Sequence, residues 1–192
     1  MAYTKLKHPV FAKGTYVDGQ APTYTDGVVV GKLMTANLTY TQADAKLYGD
    51  DALVASDISV TGGDITMQIT HLSPEIKAKM LGMVSGSGST GEYSLTDAVP
   101  PLGGFGYVRG GIADNGNAVY TAYWLWRTTW AMSSENATTR GDSTEYQTPE
   151  LKGTMMAANI DNSGASNFYT QKDFTSEADA IAWVNAKAGI SA

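Results

Sequence analysis

The sequence predicts a mainly β fold with one flanking α-helix and a second short helix near the C-terminal end. Three observations lead there. Of 192 residues, 22 are Thr, 21 Gly and 11 Tyr; Thr and Tyr suit pleated surfaces and Gly breaks helices, which argues against a helical bundle. Ile65, Met67 and Ile69 alternate with Asp64, Thr66, Gln68 and Thr70, the period of two that turns one face of a strand to a core. Ser73-Pro74-Glu75 then spells a helix start, with a capping hydroxyl, proline at the first helical position and an acid near the positive helix end.

Taken in order, residues 1–30 read as short extended pieces punctuated by Pro9, Gly14, Gly19, Pro22 and Gly27, followed by a longer strand over 28–40. Residues 41–57 carry Asp44, Asp50, Asp51 and Asp57 among scattered apolar residues, without strand alternation, and read as a long arm or loop. A strand follows over 58–70, then a helix over 73–82 with Ile76, Met80 and Met83 on one stripe. Gly86 to Gly91 reads as a flexible turn. Further strands are expected at 104–110, 119–130, 143–148 and 151–157, the first two joined by the turn around Asn115-Gly116. The strand over 119–130 is apolar on both faces, with Tyr120, Ala122, Trp124, Trp126 and Trp130 on one and Val119, Tyr123 and Leu125 on the other. Such a strand is central to a sandwich or covered by another subunit. Near the end, Ser176 and Asp179 resemble a capping box for a helix over 176–188, whose apolar face is Ala180, Ile181, Trp183 and Val184 and which Gly189 stops. One domain over 1–192 accommodates all of this, at the usual prior of about 100–200 residues per domain.

Composition removes whole classes of function. Cysteine is absent, so disulfide frameworks, thiolate zinc sites and cysteine nucleophiles go together. No stretch approaches the roughly 20 apolar residues of a membrane helix, and the N-terminus has no apolar run behind Lys5 and Lys7, so a soluble protein made in the cytoplasm is expected. Net charge is −6 with no basic cluster; tight nucleic-acid binding rests on clustered Lys and Arg, so any dealing with DNA would be non-adhesive.

Candidate chemistry is thin. Gly86 to Gly91 fits G-x-G-x-x-G and Gly104-Phe105-Gly106 is a second glycine-rich element, but the first follows a helix and the second lies in a strand, whereas a dinucleotide site needs a strand before it and a helix N-terminus after it. His8 and His71 lie near no nucleophile motif. The arm aspartates miss the spacing of a calcium loop; solvated or subunit-pairing carboxylates fit them better. Arg140-Gly141-Asp142 and Asn136-Ala137-Thr138 read as polar turn. The expectation is no catalytic, cofactor-binding or metal site, and no enzyme. What a monomer leaves over is the 17-residue arm and the doubly apolar strand, both of which point to self-assembly.

A collinear set of short motifs carries a resemblance. Lys7-His8-Pro9-Val10-Phe11-Ala12 opens it; Asp44-Ala45-Lys46-Leu47-Tyr48 with Asp50-Asp51 follows; then come Tyr120 to Trp126, Tyr146-Gln147-Thr148-Pro149 with Gly153, and Phe174 to Val184. In this order, and over nearly the whole chain, the sequence resembles the major tail proteins, the tail-tube subunits, of long-tailed non-contractile (siphovirus-type) bacteriophages. The resemblance implies a tail-tube-type β-sandwich or incomplete barrel, similar to the tube proteins of contractile tails and type VI secretion, without the immunoglobulin-like domain some members append. It implies stacked rings of six copies, a lumen built of joined inner strands, and a long loop reaching a neighbouring subunit or ring. The matching loop makes Asp44, Lys46, Leu47, Tyr48, Asp50 and Asp51 the expected inter-subunit arm. Partners implied are the chain itself, a tape-measure protein, tail-tip and terminator proteins, and phage DNA passing through the lumen, with no membrane binding and residence in the virion. An acidic or neutral wall would suit that passage by repelling phosphates.

Two other readings compete. A ligand- or carbohydrate-binding β-sandwich would use Trp124, Trp126, Trp130 and the tyrosines as an aromatic platform. A small hydrolase would have to use His8 or His71.

Overall fold

The computed structural model describes residues 2–50, 52–86, 91–97, 99–135, 139, 148–160 and 165–190. Asp51, most of the glycine-rich turn at 86–91, the Asn136 and Arg140 tripeptides, and nearly all of the expected strand at 143–148 lie outside the described residues, as do Tyr146 and Gln147 of the motif set.

The elements are β1 (Ala2–Thr15), β2 (Thr23–Val29), β3 (Leu33–Gly49), β4 (Ala52–Ile69), α1 (Pro74–Leu81), β5 (Val84–Ser85), β6 (Tyr93–Ser94), β7 (Gly103–Ile112), β8 (Ala118–Ser134), β9 (Glu150–Met156), β10 (Tyr169–Phe174) and α2 (Glu177–Ala188). The fold is mainly β. An antiparallel sheet runs β2-β1-β7-β8-β9-β4-β3, with β10 also on β8, and β5 pairs with β6 apart from it. The hairpin expected between the strands now numbered β7 and β8 is present, closed by Ala113 N donating to Asn117 O at 2.9 Å with Gly116 at φ 82.

Strand β8 is the hub. One edge pairs with β7, and the other is divided, Tyr120 to Leu125 with β10 and the stretch from Arg127 onward with β9. Between these halves, three steps on β8 (Leu125 to Thr128) face two on β7 (Phe105 to Gly103). The extra residue is a β-bulge, and it reverses which way later side chains point. The faces expected for this strand are corrected accordingly: Trp124 and Trp126 lie in one core cluster, whereas Trp130 joins Leu125 in the other. The carbonyl of Trp126 at the bulge accepts from both Tyr16 Oη and Tyr24 Oη.

The sheet curls so that its two ends share one core, Phe11, Phe105 and Leu125 from one half meeting Ile65, Met67 and Leu151 from the other, with Met80 and Leu81 of α1 closing it. The second cluster lies on the opposite face, where Ala180, Val184 and Ala188 of α2 cover Val10, Val108, Ala122 and Trp124. Close approach there requires glycine. A Cβ on Gly106 would sit 2.7 Å from both Trp124 and Val184.

Three further expectations are revised. Residues 28–40 are not one strand: the chain turns at Gly31, φ 122, and β2 and β3 occupy opposite ends of the sheet. Ser73 caps α1 through Ile76 N, but Ser176 makes no capping hydrogen bond to α2. The segment 41–57 is not a loop. Strands β3 and β4 stay paired from Leu33↔Ile69 to Gly49↔Ala52, so the segment is the far half of a long β-hairpin.

Candidate functional site

The hairpin leaves the body where the core ends. Ile65, Met67 and Ile69 are buried, but every described side chain from Thr39 to Tyr48 and from Leu53 to Thr61 is exposed. At roughly 3.3 Å per residue, the stretch beyond Tyr40 projects on the order of 25–30 Å. Asp50 takes φ 47 in the tight turn, a left-handed conformation that Asp tolerates through local hydrogen bonding.

Of the residues expected in the arm, Asp44 and Lys46 form an ion pair at 2.8 Å, and Ser56 donates to Asp44 at 3.4 Å. Leu47 and Tyr48 are 62% and 64% exposed, and Tyr48 stands opposite Leu53, itself 53% exposed. Val54 and Ile58 add to this surface. Along the arm each strand pairs only with the other among the described residues, which leaves two open edges as well as two uncovered faces. A lone two-stranded ribbon is marginal in water, and open apolar edges invite pairing.

At the root of the arm lies a feature with no local mark in the sequence. The barrel-like curl is incomplete. Among the described residues the first residues of β1 pair only with β7 and β3 pairs only with β4, and between these two unjoined strands opens a cleft of about 750 Å³. Five tyrosines line it, Tyr3, Tyr40, Tyr107, Tyr123 and Tyr169, each from a different strand. Tyr107 and Tyr123 are directly opposed in the β7–β8 register and stack at 5.1 Å and 9°, a stabilising cross-strand pair. Tyr169 reaches Tyr40 at 6.1 Å and Tyr123 at 6.2 Å. The Arg109 guanidinium lies 4.0 Å over the Tyr3 ring and 5.9 Å from that of Tyr123.

Burial pushes the Tyr107 and Tyr123 phenols up from 10.0. Partial desolvation where the Tyr40 ring lies against the cleft, then the hydrogen bond with Tyr169, pushes Tyr40 up to about 12, although the residue stays 43% exposed. Like any phenol they are protonated at neutral pH and can donate hydrogen bonds, and burial extends that state to higher pH. Lys5, Asn37 and Gln171 also line the cleft, and among the described residues no Asp or Glu does. Chemically this is an aromatic, cationic surface.

The other candidates come apart. Trp124, Trp126 and Trp130 are buried, so they form no exposed platform. His8, at φ 56 in a bulge of β1, places its Nε2 2.7 Å from Asn185 Oδ1, and His71 is exposed on a different segment. Among the described residues no group of three His, Asp or Glu is placed to hold a metal ion, and no described helix is long and apolar enough to cross a membrane. The only sequence signal for the cleft was the number of tyrosines; their convergence from five strands is a property of the curl.

No family model and no curated protein matches the chain. Among solved structures it is similar to a chain in the six-fold symmetrised cryo-EM structure of the anti-feeding prophage (AFP) baseplate. That similarity has 9% identity and a TM-score of 0.33, with 90% of this chain and 97% of that chain covered, and a likeness of that order carries no argument about function.

Proposed function

We propose that the protein is a non-enzymatic structural subunit of a phage tail tube, self-assembling through its arm into stacked rings around a conduit for DNA. The observation that carries this reading is the hairpin beyond Tyr40, with two open edges and exposed Leu47, Tyr48, Leu53, Val54 and Ile58. A soluble monomer gains nothing from holding such a ribbon in water, whereas a neighbouring copy that covers it removes both the edge and the apolar exposure. The motif order supports the tail-tube assignment, and with it rings of six, residence in the virion, and tape-measure, tail-tip and terminator proteins as partners. Net charge −6 suits a wall past which DNA slides.

Deleting residues 43–56 tests the reading, because the register allows the hairpin to be shortened without touching Ile65, Met67 or Ile69. The shortened chain is expected to stay folded by circular dichroism and to form no rings or tubes in negative-stain electron microscopy at concentrations where the full chain forms them. Normal assembly of the deletion would overturn the arm's role.

A further inference from the structure

We infer that the tyrosine cleft is the socket for the arm tip of a second copy of this chain. The inference rests on the assembly reading above and names the surface the arm meets.

Charge is the first ground. In a chain of net charge −6, the cleft carries Lys5 and Arg109 and, among the described residues, no carboxylate. Neither cation has an acidic partner among the described residues. Arg109 is held in place by the ring of Tyr3, so it is positioned before any partner arrives. The arm tip has the complementary chemistry. Lys46 is neutralised by Asp44 at 2.8 Å, while Asp50 stands exposed at the turn beside Tyr48 and Leu53.

Shape is the second. A volume of about 750 Å³ lies within the roughly 300–1,000 Å³ of clefts that recognise ligands, and tyrosine walls suit the aromatic and aliphatic tip. The occupant is a second copy because the tip is exposed and so does not fill its own cleft: β3 forms one wall and then carries the tip outward from it. Plug and socket on one chain make a head-to-tail contact, the kind that closes rings or extends filaments.

Charge exchange tests this. Asp50→Arg at the tip, and separately Arg109→Asp or Lys5→Glu in the cleft, are each expected to raise the concentration for half-assembly about tenfold, read by sedimentation velocity at low salt. Lys5 is exposed, so its variant guards against an Arg109 variant that fails to fold. A chain carrying Asp50→Arg with Arg109→Asp, or with Lys5→Glu, is expected to recover most of the lost assembly. If the 43–56 deletion abolishes assembly while every folded charge variant leaves it unchanged, or no exchange restores it, the socket is wrong and the arm reading stands. Absence of assembly by the unaltered chain at every concentration overturns both.

Discussion

At the scale of single residues, backbone approach decides more than side-chain chemistry. Gly106 lies in a motif that, as text, resembles a nucleotide-binding turn; in the fold it is a strand residue with Trp124 and Val184 against it. Gly106→Ala is expected to cost about 1–3 kcal/mol through overpacking, read from the urea midpoint. Trp130 illustrates the opposite dependence. It is buried, with its indole N–H donating to Thr128 Oγ1 at 3.0 Å, and Thr128 in turn donating to Gly103 O at 2.9 Å. The bulge places Trp130 in the core cluster of Leu125, whereas alternation alone assigns it to the cluster of Trp124 and Trp126.

Among the elements, the two helices separate a cap that works from one that only looks like one. Ile76 N donates to Ser73 Oγ at 3.4 Å, a long hydrogen bond, so Ser73→Ala is expected to cost about 0.5–1 kcal/mol, the low end of the N-cap range. Ser176 makes no such bond, and Ser176→Ala is expected to leave the urea midpoint unchanged. Instead α2 is held by its apolar face and by the 2.7 Å ion pair between Glu177 and Lys7 of β1. The strands teach the same lesson. β4 was readable over its inner half, where Ile65, Met67 and Ile69 face a core, and unreadable over its outer half, where neither face meets one. β10 carries no strand signal because Tyr169, Gln171 and Asp173 offer no apolar alternation; its place comes from the edge of β8 that β9 leaves free.

For the whole molecule, buried phenols tie stability to alkaline pH. Burial pushes Tyr24 up to about 12 and raises Tyr16 and Tyr107 further, against 10.0 for a solvated phenol. An unfolded chain gives up these protons near pH 10 while the folded chain keeps them. The stabilising difference is therefore complete below pH 10 and is lost progressively as pH rises from there past 12. Thermal unfolding scans are expected to show a falling Tm from pH 10 upward, with the 295 nm absorbance of ionised tyrosine rising together with unfolding. A Tm that is flat to pH 12 would contradict the burial of this set. The same residues belong to the assembly question, since Tyr107 lines the cleft and Tyr16 and Tyr24 brace the bulge that positions β8.

The β-rich class, the inner half of β4, the β7–β8 hairpin, both helices to within a residue or two, and the unusual character of residues 41–57 are legible in the amino-acid order. Each of these leaves a local mark: a period of two against a core, a turn dipeptide, a capping serine followed by proline, or the lack of any pattern. The pairing of the segment as a hairpin, the division of residues 28–40 between opposite ends of the sheet, the bulge that reassigns Trp130, and the gathering of five distant tyrosines and Arg109 into one cleft emerge from the folded chain. Those outcomes depend on which strands meet and how the sheet curls. Pairing between residues far apart in the chain is set by the joint burial of many side chains, and no short window of sequence carries it.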